Sequence, residues 1–107
     1  MIIKIDSKKG REFGFTSDKF SKDSYLWKDG KFIWISFIAS IYEHKGNLRT
    51  LFDTIEAKGY NIIVPTPMNR MMAICEKRDM KLIGLFHDGD YVEAMLKKDV
   101  IKTLETK

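Results

Sequence analysis

The sequence has almost no cysteine and no long apolar run. Cys75 is the only cysteine among 107 residues, so no disulfide can form within the chain. No segment approaches the roughly 18 apolar residues that a membrane-spanning helix requires. Residues 1–6 have neither the length nor the small-residue cleavage site of a signal peptide. We therefore expect a cytoplasmic protein that does not insert into a membrane.

Charge of one sign is not concentrated anywhere in the chain. The formal net charge is +4 at pH 7, and the sequence pI is about 9.2. The lysines are nevertheless spread along the chain, and no basic stripe alternates with aromatic residues. Such a positive balance permits binding to phosphates or nucleic acid without requiring it. Nucleic acid is therefore not the expected partner.

The composition supplies enough apolar material for a folded core. Hydrophobic residues make up 44% of the chain and aromatic residues 12%, while the 32% of charged residues can cover the surface. No internal repeat or low-complexity stretch is present. Because a chain of this length typically forms one core, we expect a single domain over residues 1–107.

The first part of the chain, residues 1–42, is predicted to be extended. The isoleucines of residues 2–5 favour a first strand, and the polar residues 7–10 are typical of a turn. Residues 11–24 contain three phenylalanines without a clean period, and they predict no regular element.

A hairpin is predicted around the dipeptide Asp29-Gly30. It lies between two aromatic, β-favouring runs, residues 25–27 and 32–34, and this arrangement is typical of a two-residue turn between antiparallel strands. The second of these strands continues through residues 35–39, which are apolar on both faces, as expected for a central strand covered on each side.

An amphipathic helix follows. Its apolar residues recur at the spacing of one buried helical face, namely at Leu48, Leu51, Phe52 and Ile55. Asn47 is the expected N-cap, and Gly59 is expected to end the helix in a left-handed conformation. Residues 60–64 then predict a buried strand. A strand, helix and strand in this order imply a right-handed crossover between parallel strands.

A second helix is predicted after this strand. Thr66 is the expected N-cap and Pro67 the first helical residue. The spacing of the first helix recurs at Met68, Met71, Met72 and Cys75. Residues 81–86 predict a further strand.

The segment after residue 86 contains a second turn signal, Asp88-Gly89-Asp90. By local pattern alone, residues 91–96 predict either an antiparallel strand or a short helix, and the turn before them favours the strand. The charged tail, residues 97–107, is expected to be frayed or to form a short terminal helix.

The stretch between the central strand and the first helix is the strongest candidate for a site. The first N–H groups of a helix have no partner within it, and the helix dipole adds about half a positive charge there, so such a place attracts phosphate. Gly46 has no Cβ to keep a ligand from the backbone, and Lys45 and Arg49 add positive charge. A pyrophosphate would fit such a place, and the alternative for this pattern is a tight turn with two solvated basic side chains.

Residues 34–80 resemble the central motif of the GCN5-related N-acetyltransferases, the GNAT family. In that family a strand feeds a loop of pattern Arg/Gln-x-x-Gly-x-Gly/Ala, whose amides hold the CoA pyrophosphate at a helix N-terminus. The stretch similar to this loop is Glu43-His44-Lys45-Gly46-Asn47-Leu48, and Arg49-Thr50-Leu51-Phe52 follows where the family places its apolar helix face.

Later segments also resemble the family. They are Ile62-Ile63-Val64-Pro65, then Cys75-Glu76-Lys77-Arg78-Asp79-Met80 in place of Tyr-Glu-Lys-x-Gly-Phe, and Tyr91 to Lys98, which looks like a late antiparallel strand. The resemblance covers about the C-terminal two-thirds of the chain. The sequence is also similar to the short GNAT-like proteins found in bacteriophage genomes.

The resemblance implies a GNAT-like α/β (α+β) fold. Its sheet is expected to be mixed and largely antiparallel, with a parallel strand-helix-strand crossover around residues 33–64 and two main helices. The two N-terminal helices that shape the acceptor site in the family are absent here or reduced to residues 11–22.

The implied activity is acetyl transfer from acetyl-CoA to an amine on a small molecule or a protein. By the resemblance, the amides of six residues would hold the pyrophosphate: His44, Lys45, Gly46, Asn47, Leu48 and Arg49. The backbone of Phe37, Ile38 and Ala39 would align the pantetheine arm. Glu43 and His44 are the nearest candidates for the base that takes the proton of the amine. Cys75 stands where the family often keeps a tyrosine that protonates the departing thiolate.

Three residues depart from the family pattern. Glu43 puts a negative charge near the proposed phosphates, Leu48 puts bulk where the family has Gly or Ala, and Cys75 also completes an apolar helical face as a packing residue would. Together they suggest the alternative of a non-catalytic GNAT-like binding or regulatory module. The histidines and the cysteine have no metal-ligand spacing, and no nucleophilic triad is indicated. An oligomer is compatible with the sequence.

Overall fold

The structure, a computed structural model, describes residues 1–38, 46–67, 69–87 and 89–105. Within them the chain forms, in order, β1 (Ile2–Lys4), α1 (Lys8–Phe13), β2 (Tyr25–Asp29), β3 (Phe32–Phe37), α2 (Asn47–Ala57), β4 (Asn61–Pro65), α3 (Asn69–Lys77), β5 (Met80–His87), β6 (Asp90–Lys97) and α4 (Lys98–Glu105).

The strands are hydrogen-bonded in the order β1-β2-β3-β4-β6-β5. The pairs β1–β2, β2–β3, β4–β6 and β5–β6 are antiparallel. By contrast, β3 and β4, which are connected through α2, form a parallel pair. The predicted sheet is therefore confirmed: it is mixed and largely antiparallel, with one parallel crossover through a helix.

The chain divides into two compact units, Met1–Ile62 and Ile63–Lys107, and the boundary falls inside β4. The first unit contains β1, α1, β2, β3 and α2. The second contains α3, β5, β6 and α4 together with the end of β4. Each unit has its own set of buried apolar side chains. The single domain expected from chain length stays a prediction.

Three phenylalanines from the segment without a readable period belong to the core of the first unit. Phe13, Phe15 and Phe20 are all fully buried, and the rings of Phe15 and Phe20 lie 5.6 Å apart between centroids. Buried aromatic rings of this kind contribute a large apolar area. They pack in the unit that also buries Ile3, Leu26, Ile33, Trp34, Ile35, Leu51, Phe52, Ile55 and Ile62.

Helix α1 replaces the turn that the polar residues 7–10 predict. Ser7 is its N-cap, and the amide of Gly10 donates a hydrogen bond of 3.0 Å to the Ser7 hydroxyl oxygen. The helix ends at Gly14, whose φ of 78° is left-handed. The turn prediction is wrong because polar residues that favour turns also favour helix N-caps, and the burial of Phe13 fixes the helix.

The hairpin of β2 and β3 is confirmed, with its turn one residue later than the Asp-Gly signal. Asp29 pairs with Phe32, so Gly30 and Lys31 form the two-residue loop. Gly30 has a φ of 59°, and Lys31 is not among the residues of positive φ. Glycine at the first loop position is typical of a type II′ turn, whose twist matches that of the flanking strands.

Helix α2 buries the face that its apolar spacing predicts. Leu51, Phe52 and Ile55 are buried, and Leu48 is half-buried. The predicted stop is also confirmed, since Gly59 has a left-handed φ of 89° directly after the C-cap Lys58.

In the second unit, β5 and β6 form the predicted hairpin. Its register runs from Met80 opposite Lys97 to His87 opposite Asp90, so residues 91–96 form the strand rather than a helix. The tail forms helix α4. The second unit buries Ile63, Val64, Cys75, Met80, Ala94, Met95, Leu96 and Ile101.

The start of α3 differs from the prediction. The sequence predicts Thr66 and Pro67 as N-cap and first helical residue, but the helix begins at Asn69. The Thr66 amide instead donates a 2.8 Å hydrogen bond to the carbonyl oxygen of Glu93 in β6, and its φ is 46°. Pairing with the neighbouring strand therefore extends past the end of β4, and the helix starts later.

We predict that Phe52→Ala destabilises the first unit by about 3–5 kcal/mol, because it leaves a cavity in a buried site. Thr50→Ala is the matched control, since Thr50 is exposed on the same helix and its change should stay within about 0.5 kcal/mol. Urea unfolding followed by tryptophan fluorescence measures both, because Trp27 and Trp34 lie in the first unit. Equal unfolding midpoints for the two variants would contradict the burial of α2.

Candidate functional site

The candidate site lies at the start of α2, where Gly46 is the N-cap. Gly46 has φ 75° and ψ 15°, a left-handed conformation that glycine adopts without strain. Its carbonyl oxygen accepts the first hydrogen bond of the helix, 3.0 Å from the amide of Thr50. The α2 N-terminus is thus defined at Gly46.

The amides of the first helical turn are not capped by the N-cap residue. Glycine has no side chain that could accept a hydrogen bond from the second or third helical amide, as Ser or Asp would. These amides, including those of Leu48 and Arg49, also lack a carbonyl partner within the helix. The helix dipole adds partial positive charge at the same place. The arrangement offers donors to an anion.

Arg49 places a cation over the N-cap. Its side chain is exposed, and its Nη2 atom lies 3.4 Å from the position that a Cβ on Gly46 would occupy. The guanidinium and the glycine therefore border the same small volume. A methyl group on residue 46 would fill part of the space in which an anion could contact both the backbone and Arg49.

Asn47 is the first helical residue, so its prediction as N-cap is wrong. Its side-chain amide donates a 3.3 Å hydrogen bond to the backbone carbonyl oxygen of Lys19. This contact holds the segment before β2 against the start of the helix. Sequence reasoning misses Lys19, because the two residues are 28 positions apart and no local pattern connects them.

Several predicted site residues are outside the described part of the chain. These are Ala39, Glu43, His44 and Lys45, so the base and one of the two cations stay predictions. Phe37 is the last residue of β3, and Ile38 follows it. Of the residues proposed for the pantetheine arm, Phe37 therefore ends the strand that precedes α2 in the chain.

Leu48 and Cys75 are the departures from the family pattern that the structure describes. Leu48 is half-buried, so part of its side chain packs inside the first unit. Cys75 lies in α3 of the second unit and is 0% exposed. Burial raises the pKa of its thiol to about 11. The charge of Arg78 lowers this pKa and the charge of Glu76 raises it, each by less than burial does. The thiol stays protonated, as a proton donor must, but a ligand reaches it only if the unit opens.

The described residues offer neither a metal centre nor a membrane-spanning helix. Within the described ranges, no three His, Cys, Asp or Glu side chains are grouped closely enough to hold a metal ion. In the same part of the chain, no helix has both the length and the apolar character needed to cross a bilayer.

Comparison with protein-family models, with curated proteins and with solved structures finds no match to this chain. Its function must therefore be inferred from the residues and their geometry.

We predict that Cys75 reacts slowly with a thiol reagent. The thiolate is the reactive form, and a buried thiol of raised pKa supplies little of it. At about pH 8, labelling by a disulfide reagent should be at least about 100-fold slower in the native protein than in denaturant. Fast native labelling would contradict the burial of Cys75.

The same raised pKa has a consequence for stability in alkali. The thiol of the unfolded chain ionises near its ordinary pKa of 9.0, and the folded chain raises that pKa to about 11. The buried thiol therefore contributes to stability below pH 9, and this contribution is lost as the pH rises from 9.0 to about 11. Urea unfolding at several pH values measures the free energy of unfolding of the native chain and of Cys75→Ala. Between neutral and alkaline pH, this free energy should fall less in the variant than in the native chain.

Proposed function

We propose that this chain is an acyl-CoA-dependent N-acyltransferase-like protein that transfers an acetyl group from acetyl-CoA to an amine. The observation that carries the proposal is the glycine-capped start of α2, reached from β3 inside the parallel crossover. A strand, an amphipathic helix with a glycine N-cap and a second parallel strand occur in the order that the resemblance to the GNAT family implies.

The donor set at the start of α2 fits a pyrophosphate. Charge-assisted hydrogen bonds from backbone amides and a guanidinium are among the stronger ones that proteins make to phosphate oxygens. Gly46 leaves the backbone open, and Arg49 lies 3.4 Å from the Cβ position that Gly46 leaves empty. In this proposal Lys45 adds a second cation, and the pantetheine arm is aligned by the backbone of Phe37, the last residue of β3, and of Ile38 and Ala39, which follow it in the sequence.

Acetyl-CoA supplies an activated thioester carbonyl. The nitrogen of the acceptor amine forms a bond to this carbonyl carbon, the carbon–sulfur bond breaks, and the amine loses a proton. Glu43 or His44, which follow β3 in the chain, accept that proton in this proposal. The leaving sulfur takes up a proton. Cys75 supplies it only if α3 moves to expose its thiol, and solvent is the alternative source.

The partner in this proposal is an amine-bearing small molecule or protein, and the setting is the cytoplasm. A lone cysteine kept as a free thiol fits a reducing compartment.

A second candidate function is a non-catalytic GNAT-like binding or regulatory module. Two observations favour it. Leu48 places a half-buried branched side chain in the first turn of α2, where the family has Gly or Ala. Cys75 is fully buried, as expected of a residue that only packs.

We predict that isothermal titration calorimetry detects binding of acetyl-CoA and of CoA, and that Gly46→Ala weakens it about tenfold or more. The methyl group would displace a phosphate from backbone amides, and each charge-assisted hydrogen bond contributes about 1.5–3 kcal/mol. Gly59→Ala is the matched control. Gly59 also has a left-handed φ, and beyond its chain neighbours no atom of the described residues lies within 4 Å of an added Cβ, so a substitution there carries similar backbone strain at the other end of α2.

The outcomes separate the two candidate functions. Binding together with acetyl transfer to a panel of amines supports the enzyme. Binding without transfer supports the non-catalytic module. Absence of binding at about millimolar acetyl-CoA, in a protein whose circular dichroism shows it folded, removes the acyl-CoA proposal.

A further inference from the structure

A group of lysines surrounds the ring of Tyr60 in the first unit. The Nζ atom of Lys9 lies 5.4 Å from the ring centroid, and those of Lys28 and Lys31 each lie 5.7 Å from it. The lysines come from α1, β2 and the β2–β3 turn. We name Tyr60 and these three lysines the Tyr60 lysine cluster.

The Tyr60 lysine cluster has an excess of positive charge. Lys9 forms an ion pair of 3.5 Å with Glu12, one helical turn away. Among the described residues, Glu12 is the carboxylate that pairs with the cluster, and it balances one of the three ammonium groups. Like charges held around one ring repel each other, and an anion placed among them would relieve that repulsion.

The phenol of Tyr60 responds to these charges. Its pKa is lowered from the ordinary value, first by a hydrogen bond from Lys9 and then by the charges of Lys9, Lys28 and Lys31, while burial acts in the opposite direction. The same hydrogen bond raises the pKa of Lys9. The oxygen of Tyr60 therefore lies where negative charge is favoured.

The backbone around the cluster is held by regular structure. The amide of Asn61 donates a 2.7 Å hydrogen bond to the carbonyl oxygen of Lys31, which ties the hairpin turn to the start of β4. The ring of Phe13 meets that of Tyr60 edge to face, with centroids 5.6 Å apart. Side chains supported in this way can present their charges in a fixed arrangement.

The cluster is distinct from the α2 N-terminus. Tyr60 follows the C-terminal end of α2, and a helix of 11 residues is about 16 Å long at 1.5 Å per residue. The helix amides at Gly46 and the lysines at Tyr60 therefore lie at opposite ends of α2. One phosphate cannot contact both groups.

The shape of the charge distribution favours a small ligand over a polymer. Proteins that bind a nucleic-acid backbone spread lysines and arginines along a face or groove. Here the three ammonium groups converge on one ring. Such convergence suits one multiply charged group with several acceptor oxygens, and phosphate is the biological group of that kind. Tyr60 adds a hydroxyl that can donate to one of its oxygens.

We propose that the Tyr60 lysine cluster binds the phosphate group of a small phosphorylated ligand. The three ammonium groups and the Tyr60 hydroxyl donate to the phosphate oxygens, and the ring of Phe13 holds Tyr60 in place. This site is independent of the acyl-CoA proposal, because it uses different residues at the other end of α2.

The test is an NMR titration of the full chain carrying ¹³C-labelled tyrosine rings. The Tyr60 signal is assigned from its loss in Tyr60→Phe. Inorganic phosphate and then tripolyphosphate are added to concentrations of about 10 mM. We expect the Tyr60 signal to shift and its pKa to rise towards the ordinary value, since the bound anion offsets the lysine charges.

Charge-removing variants test the convergence of the lysines. Lys31→Gln and Lys28→Gln should each weaken tripolyphosphate binding by about three- to tenfold. This loss of affinity lies between the loss expected for an exposed ion pair and the loss expected for a charge-assisted hydrogen bond. Lys58→Gln is the matched control. It removes the same charge two residues from Tyr60, but Lys58 is not among the described lysines over the ring, so binding should change less than about twofold.

Each result decides for or against the proposal. A Tyr60 shift that depends on Lys28 and Lys31 but not on Lys58, in variants that keep the native circular dichroism, supports it. No shift at Tyr60, or equal effects of all three lysine variants, overturns it. A single-stranded decanucleotide is the last arm. If the decanucleotide binds much more tightly than tripolyphosphate, and its affinity depends steeply on salt, the ligand of the cluster is a nucleic acid and not a small phosphorylated molecule.

Discussion

Burial of one face of α2 is the interaction on which both proposed sites depend. Leu51, Phe52 and Ile55 are buried on this face, and side chains of this size each contribute about 1.5–3 kcal/mol when they leave water. Their burial sets where the helix begins and ends. It therefore places Gly46 and its amides at one end, and Gly59 with the following Tyr60 at the other. A glycine N-cap forgoes the side-chain hydrogen bond of Ser or Asp, and the buried face makes that loss tolerable.

Features encoded by neighbouring residues could be predicted from the sequence. The apolar spacing from Leu48 to Ile55 locates α2, and Gly30 locates the hairpin to within one residue. Both signals act over a few positions, because they depend on helical periodicity or on the backbone freedom of glycine. The same holds for Gly59, whose left-handed conformation ends α2. The order of the elements from β2 to β6, and with it the strand-helix-strand crossover, follows from such local signals.

Features that depend on distant residues could not be predicted in this way. Asn and Gly are both acceptable N-caps, and the choice of Gly46 accompanies a hydrogen bond from Asn47 to Lys19, 28 positions away. Thr66 has the side chain of an N-cap, yet its amide bonds to Glu93. Along the sequence, the lysines that surround Tyr60 are part of an even spread of positive charge. Folding converts that even spread into a local cluster.

The two ends of α2 require different chemistry to hold an anion. At the N-terminus the backbone itself offers donors and a positive partial charge, so a glycine and one arginine suffice. At the C-terminus the dipole has the opposite sign and the last carbonyls repel an anion, so side chains must supply all of the positive charge. The three lysines near Tyr60 carry more positive charge than is needed to offset the negative partial charge at the end of the helix. The helix end and Glu12 offset part of this charge. The positive charge that remains attracts a multiply charged phosphate more strongly than a singly charged carboxylate, because the attraction grows with the charge of the anion.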